Sequence, residues 1–223
     1  MERKSGLSWQ TSFNPGGTAK AENSSGYVVV TPPSGGGGGG APPPIVYPKI
    51  LITEVQIGAE GNEKEEFVEL YNPNTNDVVL AGWYLQRKTK TASDYSTFAS
   101  SGLFESKVIQ GKSYFLTARE NSSFVADTDI VVDNPLTEDN TLVLKNPNRE
   151  IVDKVGWGEA SDFETASAAK PLAGKSIGRK WLEDSQNYSD TDDNSKDFEA
   201  QDPTPKEKNK PKTNQPPITL FTF

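Results

Sequence analysis

An all-β, antiparallel sandwich is predicted for residues 47–209, and three observations carry the prediction. Apolar residues recur there with a period of two, which is the mark of strands with one buried face. Clusters of Gly, Pro, Asn, Asp and Ser break the pattern about every ten residues, as in chains built from many short strands. The helical period has one candidate, Ser161 to Lys170, which is polar, Ala-rich and stopped by Pro171, so a loop or one or two turns is expected.

Taken in order, Ile50 to Val55 reads as a first strand and Glu66 to Asn72 as a second, with Val68 and Leu70 directed toward a core. The acidic run Glu60, Glu63, Glu65 and Glu66, with Lys64 among them, reads as a solvated loop between the two. Asn72-Pro73-Asn74-Thr75-Asn76-Asp77 is a turn, because Asn and Asp bond their own backbone and tolerate left-handed conformations. Val78 to Leu80 and Tyr84-Leu85 continue in strands around Gly82-Trp83, and Trp83 is expected in the core. After a polar loop, Lys88 to Ser96, come Thr97-Phe98, a Gly-containing turn and a hairpin-like pair around Gln110-Gly111-Lys112. Phe115 to Thr117, Ile130 to Val132, Leu142 to Leu144 and Ile151 to Trp157 are further short apolar runs, with Asn146-Pro147-Asn148 turning the chain into the last.

These segments also resemble a known family. Ile52-Thr53-Glu54-Val55, then Glu66 to Pro73, Asp77 to Leu85, Val108 to Leu116, Asn140 to Leu144 and Ile151 to Gly158 are similar, in family order, to the lamin tail domain, found in nuclear lamins and many exported bacterial proteins. The resemblance covers Tyr47 to Asn209 and implies an immunoglobulin-like sandwich with long disordered linkers on its flanks. It implies a scaffold, tethering or adhesion module in a larger multi-module protein, extracellular or at a cell surface. Its alternative is an accessory domain of a secreted hydrolase, a nuclease or phosphatase, whose catalytic part lies elsewhere. The filament role of nuclear lamins would need an adjoining coiled coil, and no heptad run exists here.

The flanks have their own logic. Residues 24–46 read as a linker, with six glycines (Gly35 to Gly40) followed by Pro42-Pro43-Pro44. No strand, Lys-Ser/Thr pair and helix surround the glycines, so they do not form a phosphate-binding loop. Residues 1–23 read as the truncated end of a preceding, similar domain. Arg3-Lys4, Trp9, Asn14-Pro15 and Thr18-x-Lys20-x-x-Asn23 parallel Arg179-Lys180, Phe198, Asp202-Pro203 and Thr204-x-Lys206-x-x-Asn209. Arg3 to Asn23 is 20 positions and Arg179 to Asn209 is 30, so the second copy holds ten more residues, expected within Leu182 to Lys196. On this reading Met1 is an internal or mis-assigned start. Residues 210–223 read as linker and then a strand, and Pro216-Pro217-Ile218-Thr219-Leu220-Phe221-Thr222-Phe223 resembles the opening of PKD-type repeats, another immunoglobulin-like module.

Composition bounds the chemistry. The chain has no Cys and no His, which excludes a Ser-His-Asp triad, a Cys-His pair and HExxH zinc sites. A net charge of −8 opposes generic binding to nucleic acid or anionic lipid, and the late cluster Lys206, Lys208, Lys210 and Lys212 reads as a solvated linker. No apolar run reaches the ~20 residues of a spanning helix, and no apolar segment of a signal peptide follows Met1 to Gly6. The expected partners are a protein or an extracellular polymer and neighbouring modules of the same polypeptide, without nucleic acid.

Two constellations remain. Glu54 and Glu69 lie on strands that can pair, and close carboxylates are the raw material of acid–base work or metal binding; they serve equally as acceptors for backbone N–H groups of an adjacent turn. Asp190, Asp192 and Asn194 begin like a calcium loop, but Ser195 stands where the turn glycine belongs and Gln201 where the bidentate Glu belongs. That stretch reads either as a weak calcium site or as an Asx-rich turn before a strand at Phe198. No catalytic residue and no cofactor other than this weak calcium reading is expected, and the chain is expected not to be an enzyme.

Overall fold

The computed structural model describes residues 45–210 and two strands near the start, β1 (Glu2–Arg3) and β2 (Trp9–Gln10). The linker over 24–46 (apart from Ile45 and Val46), the remainder of the repeat over 1–23 and the terminal strand over 210–223 (apart from Lys210) lie outside the described residues. The chain divides into two compact units, Met1–Val46 and Tyr47–Phe223. In the first, β1 and β2 pair antiparallel with Glu2 opposite Gln10 and Arg3 opposite Trp9.

The strands of the second unit, in chain order, are β3 (Leu51–Ala59), β4 (Asn62–Tyr71), β5 (Val78–Val79), β6 (Tyr84–Thr89), β7 (Ser96–Ala99), β8 (Val108–Ile109), β9 (Tyr114–Arg119), β10 (Ile130–Val132), β11 (Asn140–Lys145), β12 (Ile151–Gly156), β13 (Ser176–Arg179), β14 (Trp181–Leu182), β15 (Asn187–Tyr188) and β16 (Phe198–Gln201). They form an immunoglobulin-like sandwich: a six-stranded sheet in the order β10-β9-β4-β3-β13-β16 packs on a four-stranded sheet in the order β12-β11-β6-β7. One core joins them, with Ile52, Val55, Val68, Leu70, Phe115 and Ile177 from the first sheet meeting Leu85, Phe98, Leu142, Leu144 and Val155 from the second. Trp83 and Trp157 are fully buried in it, as expected for the former. Gly82 takes φ +81, and a Cβ there would meet Pro147 at 3.1 Å, so the turn that delivers Trp83 depends on glycine.

A bulge in β3 sets up everything that follows. The pairing of β3 with β4 runs Ile52 opposite Leu70 and then Glu54 opposite Glu69, leaving Thr53 extra. Before the bulge Ile50 and Ile52 face the core; after it Val55 does, so the inward phase shifts by one residue. Glu54 is thereby turned to the outer face of the sheet, opposite Glu69. That face is not left to solvent. Leu51, Tyr71 and Tyr188 form one buried cluster on it with Tyr114 and Trp181, and Phe67, Leu116 and Ala118 form another with Phe124.

Several sequence expectations are corrected here. The face of β4 opposite Val68 and Leu70 is buried too, because later segments of the chain cover Phe67, Glu69 and Tyr71. Of the acidic run only Glu60 lies in an exposed turn: Asn62 onward is strand, and Glu66 is 2% exposed, pairing with Arg119 at 2.7 Å and accepting from the backbone N–H of Leu136. The strands on either side of Gln110-Gly111-Lys112 do not pair with each other, since β8 pairs with β5 and β9 with β4. The reason is Asn72, whose buried amide donates to the carbonyls of Ile109 and Gln110 and ties that turn to the Asn72–Asn76 loop. Gly111 seats against it so closely that a Cβ would lie 2.2 Å from the Thr75 carbonyl oxygen. One pairing, β10 with β9, is parallel. Residues 161–170 form bends without a helix; the helical turns among the described residues are α1 (Ser101–Phe104), a 3-10 turn at Ser123–Asp127 and α2 (Asn194–Asp197). No helix among the described residues is long and apolar enough to cross a membrane.

Candidate functional site: a closed pair of glutamates

Glu54 and Glu69 stand directly opposite each other on neighbouring strands, and both are wholly buried. Residues 204–209, which follow β16, form the lid over them. Thr204 donates its backbone N–H to Glu54 (3.0 Å), and its Oγ1 lies 3.0 Å from Glu54 Oε2. Gln201 Nε2 and Ser176 Oγ complete the donors to Glu54. Glu69 accepts from Thr53 Oγ1 at 2.9 Å and from the backbone N–H of Lys206. Lys206 reaches that geometry at φ +60, and its Nζ pairs with Asp129 at 3.1 Å. Asn209 finishes the lid, donating from Nδ2 to the carbonyls of Thr53 (2.8 Å) and Arg179 (2.9 Å). Every carboxylate oxygen of the pair is thus engaged by the chain itself.

Both carboxyls are held above their ordinary range, Glu54 by burial against the pull of Ser176, Gln201 and Thr204, and Glu69 far more strongly, by burial and then by the charge of Glu54. A carboxyl whose pKa is raised on folding contributes stability that is fully present below its unfolded value. That contribution is lost as pH rises through the folded value. Stability is therefore expected to fall from the ordinary glutamate range upward, and Glu69→Gln, which mimics the protonated form, should flatten the fall. Glu164, raised to about 7 by burial and then by the charge of Asp153, adds a loss of the same sign. Melting curves of parent and Glu69→Gln from pH 5 to 9 test this; parallel curves refute it.

The second constellation surrounds Arg179, which is wholly buried at the inner end of β13. Its guanidinium makes a two-pronged bond to Asp153 of the opposite sheet (2.8 and 2.9 Å). It also donates to the Ile52 carbonyl (3.0 Å), the Ser189 carbonyl (3.0 Å) and Asp190 (3.1 Å), with Asp197 at 3.6 Å. The Phe198 ring lies 4.6 Å below it. Burial works against its charge, but Asp153, Asp190, Asp197 and Glu164 outweigh that and hold its pKa above the usual value. Among the described residues, Asp153, Glu164 and Asp190 also bring carboxylate oxygens within 4.8 Å of one another; Arg179 pairs with Asp153 and Asp190, and Lys49 with Asp190.

The residues of the candidate calcium turn do different jobs. Asp190 pairs with Arg179 and with Lys49 (2.9 Å). Asp192 is exposed at φ +55. Asn194 is buried, and its Oδ1 already accepts the N–H groups of Gly156 (2.9 Å) and Glu164 (3.1 Å). The turn continues into α2 and then β16 at Phe198. Millimolar Ca²⁺ is expected to raise the melting temperature no more than NaCl of equal ionic strength. A specific rise that Asp192→Ala abolishes would establish the site.

Sequence reasoning singled out Glu54 and Glu69 but not the lid that closes them. The signal was present: Thr204, Lys206 and Asn209 are the three fixed positions of the repeated T-x-K-x-x-N spacing. Arg179 and Asp153 gave no signal as partners, being 26 residues apart on different sheets.

A family model described as Lamin Tail Domain matches residues 43–159. No curated protein matches the sequence significantly. Among solved structures, a DUF4876 family protein from Bacteroides thetaiotaomicron aligns at 11% identity with a TM-score of 0.49, covering 70% of this chain and 71% of that one. The family match ends before β13, β16 and the lid, so the strands and residues that close the glutamate pair lie beyond it.

Proposed function

This chain belongs to the lamin tail domain family, a group of immunoglobulin-like, generally non-catalytic domains, and we propose that it is a non-catalytic module of a larger exported bacterial protein, serving as scaffold, tether or adhesion unit at an extracellular surface. The observation that supports this best is the sealing of the one carboxylate pair that sequence marked for chemistry. Glu54 and Glu69 are spent on holding the chain's own residues 204–209 and offer no free oxygen to a substrate. In the acid cluster, Asp153 and Asp190 are likewise paired with the buried Arg179. A net charge of −8 favours protein or extracellular polymer over nucleic acid as partner. A module joined by Gly/Pro-rich sequence to its neighbours raises the local concentration of whatever it holds without chemistry of its own.

Purified residues 1–223 are expected to leave nucleic acid, phosphate ester and glycan substrates intact, with or without Mg²⁺, Mn²⁺ or Ca²⁺. Turnover that survives repurification and disappears in Glu54→Gln or Glu69→Gln would overturn the proposal in favour of a carboxylate-based enzyme.

A further inference from the structure

We infer that Arg87 and Arg119, on the inner faces of the two sheets at one end of the sandwich, form a binding site for a carboxylate group brought by a ligand.

Register places the pair. On β4 and β9, Val68, Leu70 and Phe115 point into the core, so Glu66 and Arg119 continue that inner face to the end of the six-stranded sheet. On β6, Leu85 is in the core and Arg87 follows two residues on, opposite Leu142 of β11; Asn140 stands two residues before Leu142 on the same face. The segment between β10 and β11 joins the two sides. Arg87 donates from Nη1 to the Pro135 carbonyl, while Glu66 accepts from the Leu136 N–H at 2.8 Å and from Arg119 Nη1 at 2.7 Å. Two guanidinium groups thus stand beside one carboxylate, and the three together carry one positive charge in excess. Acidic residues on the flanking segments have cations of their own, Glu120 with Lys64 and Glu138 with Lys170.

The donors that remain unused point to the ligand. Arg179 shows what a fully engaged guanidinium looks like in this protein, with acceptors at Nε, Nη1 and Nη2. Arg87 and Arg119 each bond through Nη1, and the Nε of each is buried without a hydrogen-bond partner. The Nε–Nη2 edge is the fork that grips a carboxylate with two parallel bonds. Asn140 Nδ2 and Thr117 Oγ1 are likewise buried and unpaired on the same inner faces. Four of the nine such atoms among the described residues therefore gather at this end, and all four can donate. An acceptor that serves them removes the cost of burying donors unpaired. Burial lowers the pKa of Arg87, with Glu66 opposing this and Arg119 adding to it, so a further anion would restore what burial takes. Arg87 is half-buried and Arg119 keeps 15% of its side chain exposed, so the site opens to solvent. The net charge of −8 works against a polyanion, and a single planar carboxylate suits both the charge and the forks.

Nitrogen–proton correlation spectra of the arginine side chains test this in residues 1–223, titrated with sodium acetate and with NaCl of equal ionic strength. The Nε–H resonances of Arg87 and Arg119 should move together and saturate in acetate but not in chloride. Those of the exposed Arg149 and the fully engaged Arg179 should stay in place. Arg87→Lys keeps the charge and loses the fork, so it should weaken acetate about tenfold. A peptide of zero net charge with one aspartate separates two sources of the group: binding about tenfold tighter than acetate assigns a protein-borne carboxylate, and binding no tighter assigns a free small acid. Shifts that grow without saturating, that NaCl reproduces, or that Arg87→Lys leaves unchanged overturn the site. If Arg87→Lys does not fold, saturation in the parent decides alone.

Discussion

Arg179→Ala is expected to destabilise the sandwich by about 3–5 kcal/mol, because it leaves Asp153 and Asp197 buried without their cation. A domain of this size holds about 5–15 kcal/mol in all, so the variant should be largely unfolded on mild heating. Urea unfolding measures the loss. The penalty arises from stranded charge and not only from lost packing. Arg179→Met with Asp153→Leu should therefore recover part of the stability that Arg179→Met alone gives up. A loss below about 1 kcal/mol in the alanine variant, or no recovery in the double one, would show that the ion pair is not what locks the two sheets together.

Trp83→Ala should cost about 3–5 kcal/mol, the range for emptying a large aromatic site in a core. The indole is fully buried, with Tyr47 edge-on at 6.0 Å, and neighbours fixed in two sheets limit how far the space can collapse. Its Nε1 has no hydrogen-bond partner in the structure, so Trp83→Phe removes a stranded donor along with some volume and should cost distinctly less. Equal losses for the two substitutions would show that a phenyl ring recovers none of the packing that the indole supplies.

The parts of the fold legible in the sequence are those with local causes. Alternation placed β3, β4, β9 and β11, and Gly82-Trp83 marked a buried indole, because period and turn chemistry act over a few residues. The bulge at Thr53 was not legible: it moves Glu54 outward by inserting one residue, and nothing in Ile50 to Val55 announces which residue is extra. Nor was the burial of the outer face of β4, since Phe67 and Tyr71 are covered by residues far along the chain, Phe124 and Tyr188 among them. The glutamate pair could be named from strand pairing, but its role could not. Whether two facing carboxylates work on a substrate or hold a lid depends on residues about 150 positions away.

That separation has a consequence for the order of synthesis. β3 and β4 leave the ribosome roughly a hundred residues ahead of β13, β16 and the lid. Until β13 has emerged, the free edge of β3 stays available to any passing strand, and until residues 204–209 follow, Glu54 and Glu69 stay hydrated. The facing charges then discourage foreign strands from sealing that patch prematurely. Final closure waits for residues 204–209, and because closure raises the Glu69 pKa well above its ordinary value, completing the sandwich favours proton uptake by that carboxyl.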